Sequence, residues 1–170
     1  MKLFLNLCLF AASMVVAQAA LAQSPAVTST LVAQRVEIVD GKAVLKPAAQ
    51  AKSGDIIEYS GTYRNGGKTA VDKLLATVPV PVGTTLVAGS ATPAQAQASV
   101  DGTQFAPMPL MRSVKQPDGS ARNEPVPLAE YRALRWELGN LAPGGSAVVS
   151  LRVRIDSPAA AAVTASAAKP

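Results

Sequence analysis

The stretch that decides the fold is Ala147-Val148-Val149-Ser150-Leu151-Arg152-Val153-Arg154-Ile155. Val149, Leu151, Val153 and Ile155 recur at every second residue, with Ser150, Arg152 and Arg154 between them. Successive side chains of a strand point to opposite faces, so a period of two describes a strand with one face in a core and one in water. Immediately upstream, Leu141-Ala142-Pro143-Gly144-Gly145 reads as a tight turn. Before it, Tyr131 to Leu138 repeats the pattern around Trp136, the sole tryptophan. Leu134, Trp136 and Leu138 share one face, and Arg135 and Glu137 share the other. Trp136 is therefore expected in the core, opposite residues such as Ile57, Tyr59 and Leu151, rather than as an exposed platform for stacking a sugar.

The same punctuation runs through the rest of the chain. Val27 to Val39 alternates at Val32, Gln34, Val36 and Ile38, and Asp40-Gly41 separates it from Lys42-Ala43-Val44-Leu45. Asp-Gly between two extended runs predicts a hairpin, because a type I′ turn needs positive φ at both central residues. Pro47 limits further pairing. Ser53-Gly54-Asp55 turns the chain into Ile56 to Arg64, with Ile57, Tyr59, Gly61 and Tyr63 on one face. Ala70 to Val78 fits two periods. Val71, Leu74, Leu75 and Val78 would line a helix, whereas Leu74, Ala76 and Val78 would line a strand. We read it as a strand because its neighbours are strands. Thr84 to Ala88 reads as a short strand, and Asp101-Gly102 as a second hairpin turn.

From Ala106 to Pro127, five prolines and Asp118-Gly119 predict a long irregular loop, of the kind that is often functional. Ser157 to Pro170 is an Ala-rich tail, expected to be disordered. Short strands divided by Gly and Pro turns indicate an all-β antiparallel sandwich or barrel of about seven strands. With only five aromatics beyond residue 22, its core must be built mainly from Val, Leu, Ile and Ala.

At the other end of the chain, Lys2 followed by the apolar run Leu3 to Val16 and by Ala20-Leu21-Ala22 has the form of a secretory signal peptide over residues 1–22. The run is shorter than the ~20 residues that span a bilayer. Leu5-Asn6-Leu7 before Cys8 lacks the small residue of a lipidation site. Cleavage after Ala22 would leave residues 23–170, with one domain over 23–156, no cysteine and no membrane span. A disulfide framework is thereby excluded for that product. The net charge of +5 is spread over isolated Lys and Arg residues, which suits a soluble protein better than a nucleic-acid surface.

Four motifs follow one another in order. They are Ser53-Gly54-Asp55-Ile56-Ile57-Glu58-Tyr59, Asn65-Gly66-Gly67, Val78-Pro79-Val80-Pro81-Val82-Gly83-Thr84-Thr85-Leu86, and Trp136-Glu137-Leu138-Gly139-Asn140-Leu141-Ala142-Pro143-Gly144-Gly145. Together they resemble the bacterial conserved-repeat domain called domain of unknown function eleven, over about Lys46 to Ile155. The resemblance implies an immunoglobulin-like β-sandwich in a cell-envelope or extracellular setting, a strand at Ala70 to Val78, and no catalytic residues. The chain departs from that family in two ways: it carries a single copy rather than a tandem array, and Ala76-Thr77-Val78 replaces the family's acidic residue before the Pro turn.

The chemistry available is narrow. There is no histidine, and Cys8 lies within the expected signal peptide, so His-based triads, Cys-His pairs and ordinary zinc sites are excluded. Gly66-Gly67-Lys68-Thr69 resembles the end of a phosphate-binding loop, but the glycine needed five residues earlier is Thr62. Asp55 with Glu58, or Glu130 with Glu137, are acid pairs without a supporting signature. The eleven acidic residues are too dispersed for a calcium loop. No catalytic, cofactor-binding or metal-binding residue is therefore assigned. Arg135, Arg152 and Arg154, with Arg132 nearby, would form a basic stripe able to meet an acidic envelope polymer if Arg135 sat opposite the other two.

These readings lead to a monomeric, non-catalytic, periplasmic or secreted protein acting as a structural or interaction module. Its expected partner is another envelope protein or a surface polymer, and the loop at 106–127 is its expected contact. The alternative is a periplasmic carrier of a small ligand or carbohydrate, which would need a cavity of about 300 Å³ or more.

Overall fold

In the computed structural model, residues 27–157 are described, and they form antiparallel sheets with no α-helix. The strands are β1 (Val27–Val39), β2 (Lys42–Pro47), β3 (Ile56–Asn65), β4 (Val71–Pro79), β5 (Thr84–Leu86), β6 (Gln97–Ser99), β7 (Ala106–Pro107), β8 (Met111–Lys115), β9 (Ala121–Pro125), β10 (Ala133–Leu141) and β11 (Ser146–Ile155). One sheet has the order β2-β1-β3-β11-β5 and a second the order β4-β10-β6-β7; β8 and β9 form a two-stranded sheet of their own. The first two sheets pack together as a sandwich-like pair and are not closed into a barrel. The signal peptide expected at 1–22, and the tail beyond Ser157, lie outside the described residues.

The local chemistry explains the turns. Asp40 and Gly41 have φ of 51° and 74°, the paired positive angles of a type I′ turn, and Val39 pairs with Lys42 across it. β2 ends at Pro47, opposite Gln34. A 3₁₀ turn at Ala48–Gln50 then carries the chain to β3 on the other side of β1. Val71–Pro79 is a strand, because its partner β10 is one: Leu134 pairs with Val78 and Trp136 with Ala76. The helix period in this segment arises from an irregularity. Lys73 has a φ of 53°, and the β4–β10 register shifts between Glu137 and Gly139.

The core lies between the two larger sheets. Ile57, Val149, Leu151 and Val153 face it from one side, and Ala76, Val78, Ala98, Leu134 and Trp136 from the other. Trp136 is 1 % exposed, so it is a core anchor and not a surface platform; its Nε1 donates to Pro93 O at 2.7 Å. Two side chains from β3 tie the sheets together. Tyr63 Oη accepts from Thr77 N and donates to Thr77 O, both at 3.1 Å. Buried Asn65 donates through Nδ2 to Leu141 O and Thr69 O, both at 2.8 Å, and its Oδ1 accepts from Gly67 N at 2.9 Å.

Three expectations need correction. The strands among the described residues number eleven rather than about seven, because several are only two to six residues long. The segment 106–127 is not an irregular loop: it holds β7 and the β8–β9 hairpin, and its prolines either end a strand, as Pro107 and Pro125 do, or lie between strands, instead of interrupting them. Asp101-Gly102 is not a two-residue hairpin turn. Pairing between β6 and β7 starts at Ala98 with Ala106, and the wider loop between them is organised by side chains. Asp101 Oδ1 accepts from Thr103 N and Gln104 N at 2.8 Å, and Ser99 Oγ accepts from Gly102 N at 2.9 Å.

Candidate functional site

The β8–β9 hairpin stands apart from both large sheets and is held only at its base. Leu110 and Val126 are buried there and bond to each other, Val126 N to Leu110 O at 2.9 Å. Leu110 N donates to the buried Tyr131 Oη at 2.8 Å. Arg112 clasps Glu130 with Nη1 to both carboxylate oxygens, at 3.0 and 2.8 Å. Further out, every residue of β8 and β9 except Val114 and Glu124 is exposed. The tip is a compact turn in which Asp118 Oδ1 accepts from Ser120 N and Oγ at 2.9 and 2.6 Å. The Ser120 hydroxyl and amide hold the Asp118 carboxyl below its usual range. Pro109 and Pro127 frame the base, so the arm begins and ends where backbone freedom is least.

Beside the hairpin base runs an open groove of about 550 Å³, lined by Ala96, Gln97, Pro107, Met108, Arg135 and Glu137 among others. Arg135 is fixed within it. Its guanidinium carbon lies 4.1 Å from the centroid of the Phe105 ring. Its Nε and Nη2 donate to Gln97 Oε1 at 3.2 and 2.6 Å. Gln97 Nε2 in turn donates to Glu137 Oε1 at 3.4 Å. On the other side of Met108, a mostly apolar hollow of about 230 Å³ is lined by Leu86, Val87, Ala91, Pro109, Leu128 and Tyr131, with others.

The basic stripe is not formed. Arg152 and Arg154 sit on the outer face of the five-stranded sheet, where Arg152 Nε donates to Glu58 Oε2 at 2.8 Å. Arg135 sits on the outer face of the other sheet, with the core between them. Arg132 donates to Ala129 O and Tyr131 O next to its own turn. The acid pairs are separated as well. Asp55 accepts from Lys52 N and lies 3.7 Å from Arg35, whereas Glu58 belongs to Arg152 on the opposite face of its sheet. Glu130 belongs to Arg112, and Glu137 to Gln97. Gly66-Gly67-Lys68 joins two strands and not a strand to a helix, so it lacks the setting of a phosphate loop. Among the described residues, no three His, Cys, Asp or Glu side chains gather at metal-binding distance, and no helix is long and apolar enough to cross a membrane.

Two functional-looking features escaped the sequence reading. Phe105 under Arg135 joins residues thirty positions apart, and nothing local marks the pair. The tether from Leu110 to Tyr131 uses a backbone amide, which carries no sequence signal. In comparisons with known proteins, no family model, no curated protein and no solved structure matches this chain.

Proposed function

We propose that this is a non-catalytic, exported interaction module of the cell envelope, with an immunoglobulin-like sandwich as scaffold and the β8–β9 hairpin as its contact arm. The observation that carries the reading is the hairpin itself: a polar arm anchored by buried Leu110, Val126 and Tyr131, with its tip in solvent. A rigid scaffold that presents a mobile or projecting segment is the usual arrangement for recognition. The resemblance of four motifs to the conserved-repeat domain supports the envelope setting. The motifs fall on the turn into β3, the turn after it, the β4–β5 connection and the β10–β11 connection. Residues 1–22 support export, to the periplasm or beyond the cell.

The carrier reading draws less support. The apolar hollow, at about 230 Å³, falls short of the ~300 Å³ of small-molecule sites. The larger groove is open, and no aromatic side chain is among its lining residues for a sugar to stack on.

The test replaces Met111 to Pro125 with a short Gly-Ser bridge, leaving Leu110 and Val126 in place. The variant should melt near the parent temperature and lose the envelope proteins or polymer that the parent recovers from envelope extract. Recovery of the same partner without the hairpin overturns the assignment of the arm.

A further inference from the structure

β1 is thirteen residues long, but β2 pairs with only its second half, Gln34 to Val39. Along Val27 to Ala33, β1 is bonded to β3 on one side, and the described residues leave its other side unpaired. The register settles which groups face outward there. Asn65 exchanges bonds with Gly144 and Gly145, and Asp55 O accepts from Ile155 N, so the odd-numbered residues of β3 bond to β11. Its even-numbered residues, Arg64, Thr62 and Ser60, then bond to Thr28, Thr30 and Val32 of β1. The N–H and C=O groups of Val27, Ser29, Leu31 and Ala33 are left pointing at the open edge.

Open edges normally carry a lysine, a proline, an inward charge or a bulge that prevents pairing with another chain. Val27-Thr28-Ser29-Thr30-Leu31-Val32-Ala33 contains none of these, and Leu31 and Val32 are 48 % and 46 % exposed. The window is closed at one end by Pro47, which stands opposite Gln34 and blocks any strand that runs further. We propose that a second copy of this chain docks here, with β1 pairing antiparallel to its own counterpart about a two-fold axis at Thr30. In that register Val27 faces Ala33 of the other copy, Thr28 faces Val32, Ser29 faces Leu31, and Thr30 faces itself. Each outward amide and carbonyl then finds its mate, and Val27 of each copy faces Ala33 of the other, one residue short of the Gln34–Pro47 pair. Neighbouring registers that keep the same bonding parity either push one strand onto Pro47 or leave amides unpaired. Apart from Leu31 the facing residues are small or β-branched, and all are neutral, so no like charges meet in this self-complementary isologous contact.

The contact uses seven residues a side, against the ~20–30 a side of a standard interface, so the dimer should be weak, with a Kd in the micromolar range, near about −8 kcal/mol. Sedimentation equilibrium on the purified chain, from about 1 to 300 µM, should show a monomer–dimer equilibrium in that range. Thr30 is exposed, and its cross-strand neighbour within the chain is the exposed Thr62, so Thr30→Lys and Thr30→Glu should each weaken the dimer at least tenfold, while circular dichroism stays that of the parent. An equimolar mixture of the two variants should dimerise again, because opposite charges replace like ones. Ile38→Lys, outside the window on the same strand, should leave the equilibrium unchanged and serves as the control. A parent that stays monomeric throughout the range overturns the proposal, as does a dimer indifferent to Thr30→Lys or a mixture that fails to recover. Neither Thr30 variant touches the β8–β9 hairpin, so loss of the dimer and loss of an envelope partner are read separately.

Discussion

β1 and β3 are bonded neighbours in one sheet, each with alternating side chains, yet they live in different environments. In β3 the alternation delivers Ile57 and Gly61 to the core, with Tyr59 and Tyr63 packed beside them. In β1 the apolar members of the alternation, Val32, Val36 and Ile38, pair with Ser60, Ile56 and Ala43 on the face turned away from the second sheet. Ile38 is 69 % exposed. The difference lies in what covers the strand. The four-stranded sheet packs over β3 and β11, and the β1–β2 hairpin projects past it as a wing. Alternation fixes that a segment is a strand; only the width and placement of the opposing layer fix which of its faces becomes core.

The comparison predicts a steep contrast between the covered and uncovered regions. Trp136→Ala should have the largest effect, roughly 3–5 kcal/mol, from lost burial, a cavity and the orphaned Pro93 carbonyl. Thermal melts decide this. A midpoint within a degree or two of the parent would mean that the core between the sheets is not what holds them.

Next comes a pair of residues facing each other across the β1–β3 ladder, Gly61 and Leu31. A Cβ on Gly61 would lie 3.3 Å from the Tyr63 ring and 3.4 Å from Val78 Cγ2. Gly61→Val forces two further methyl groups into that space and should cost roughly 1–3 kcal/mol by overpacking. Leu31→Val at the partner position should cost under about 0.5 kcal/mol in the monomer, since Leu31 is 48 % exposed. Urea unfolding of both variants at low protein concentration sharpens the boundary between core and wing. Equal losses would erase it.

Much of this was legible beforehand. β11, β10 and β3 could be read from their period of two, the Asp40-Gly41 turn from the demand for positive φ, and the burial of Trp136 from its place between Leu134 and Leu138. The β8–β9 hairpin was hidden because its strands are mostly polar, through Arg112, Ser113, Lys115, Arg122, Asn123 and Glu124, and the apolar Met111, Val114, Ala121 and Pro125 do not alternate. Such a hairpin forms from its Asp118-Gly119 turn and from the anchoring of its base, and neither is a periodic signal. The basic stripe failed for a different reason. Which sheet a strand joins is a matter of topology, and sequence placed Arg135 and Arg152 on strands without saying that those strands belong to opposite layers.

The base of the hairpin tests how the arm is tied to the scaffold. Tyr131→Phe keeps the ring but removes the oxygen that accepts from Leu110 N, leaving a buried amide without a partner. The expected loss is about 1–3 kcal/mol. Amide exchange should accelerate at Leu110 and Val126 before it does at Leu151. Uniform acceleration throughout the chain would show that the arm and the sandwich open together.

The smallest effect should come from the wing. Ile38 is the most exposed isoleucine described, and its cross-strand partner is Ala43, so little apolar surface leaves water when the hairpin forms. Ile38→Ser gives up β-branching and a few methyl contacts but breaks no ladder bond, because the side chain takes no part in pairing. Its stability should stay within about 0.5 kcal/mol of the parent, the usual range for surface substitutions away from caps and networks. The same change at Leu151, on a covered strand with no exposed surface, should cost several times more, because it places a hydroxyl without a mapped partner into the core. Measured side by side in urea, the two variants give a ratio of losses. A ratio near one would mean that the outer face of β1 is itself buried in solution, by an assembly larger than the seven-residue edge at Val27 to Ala33.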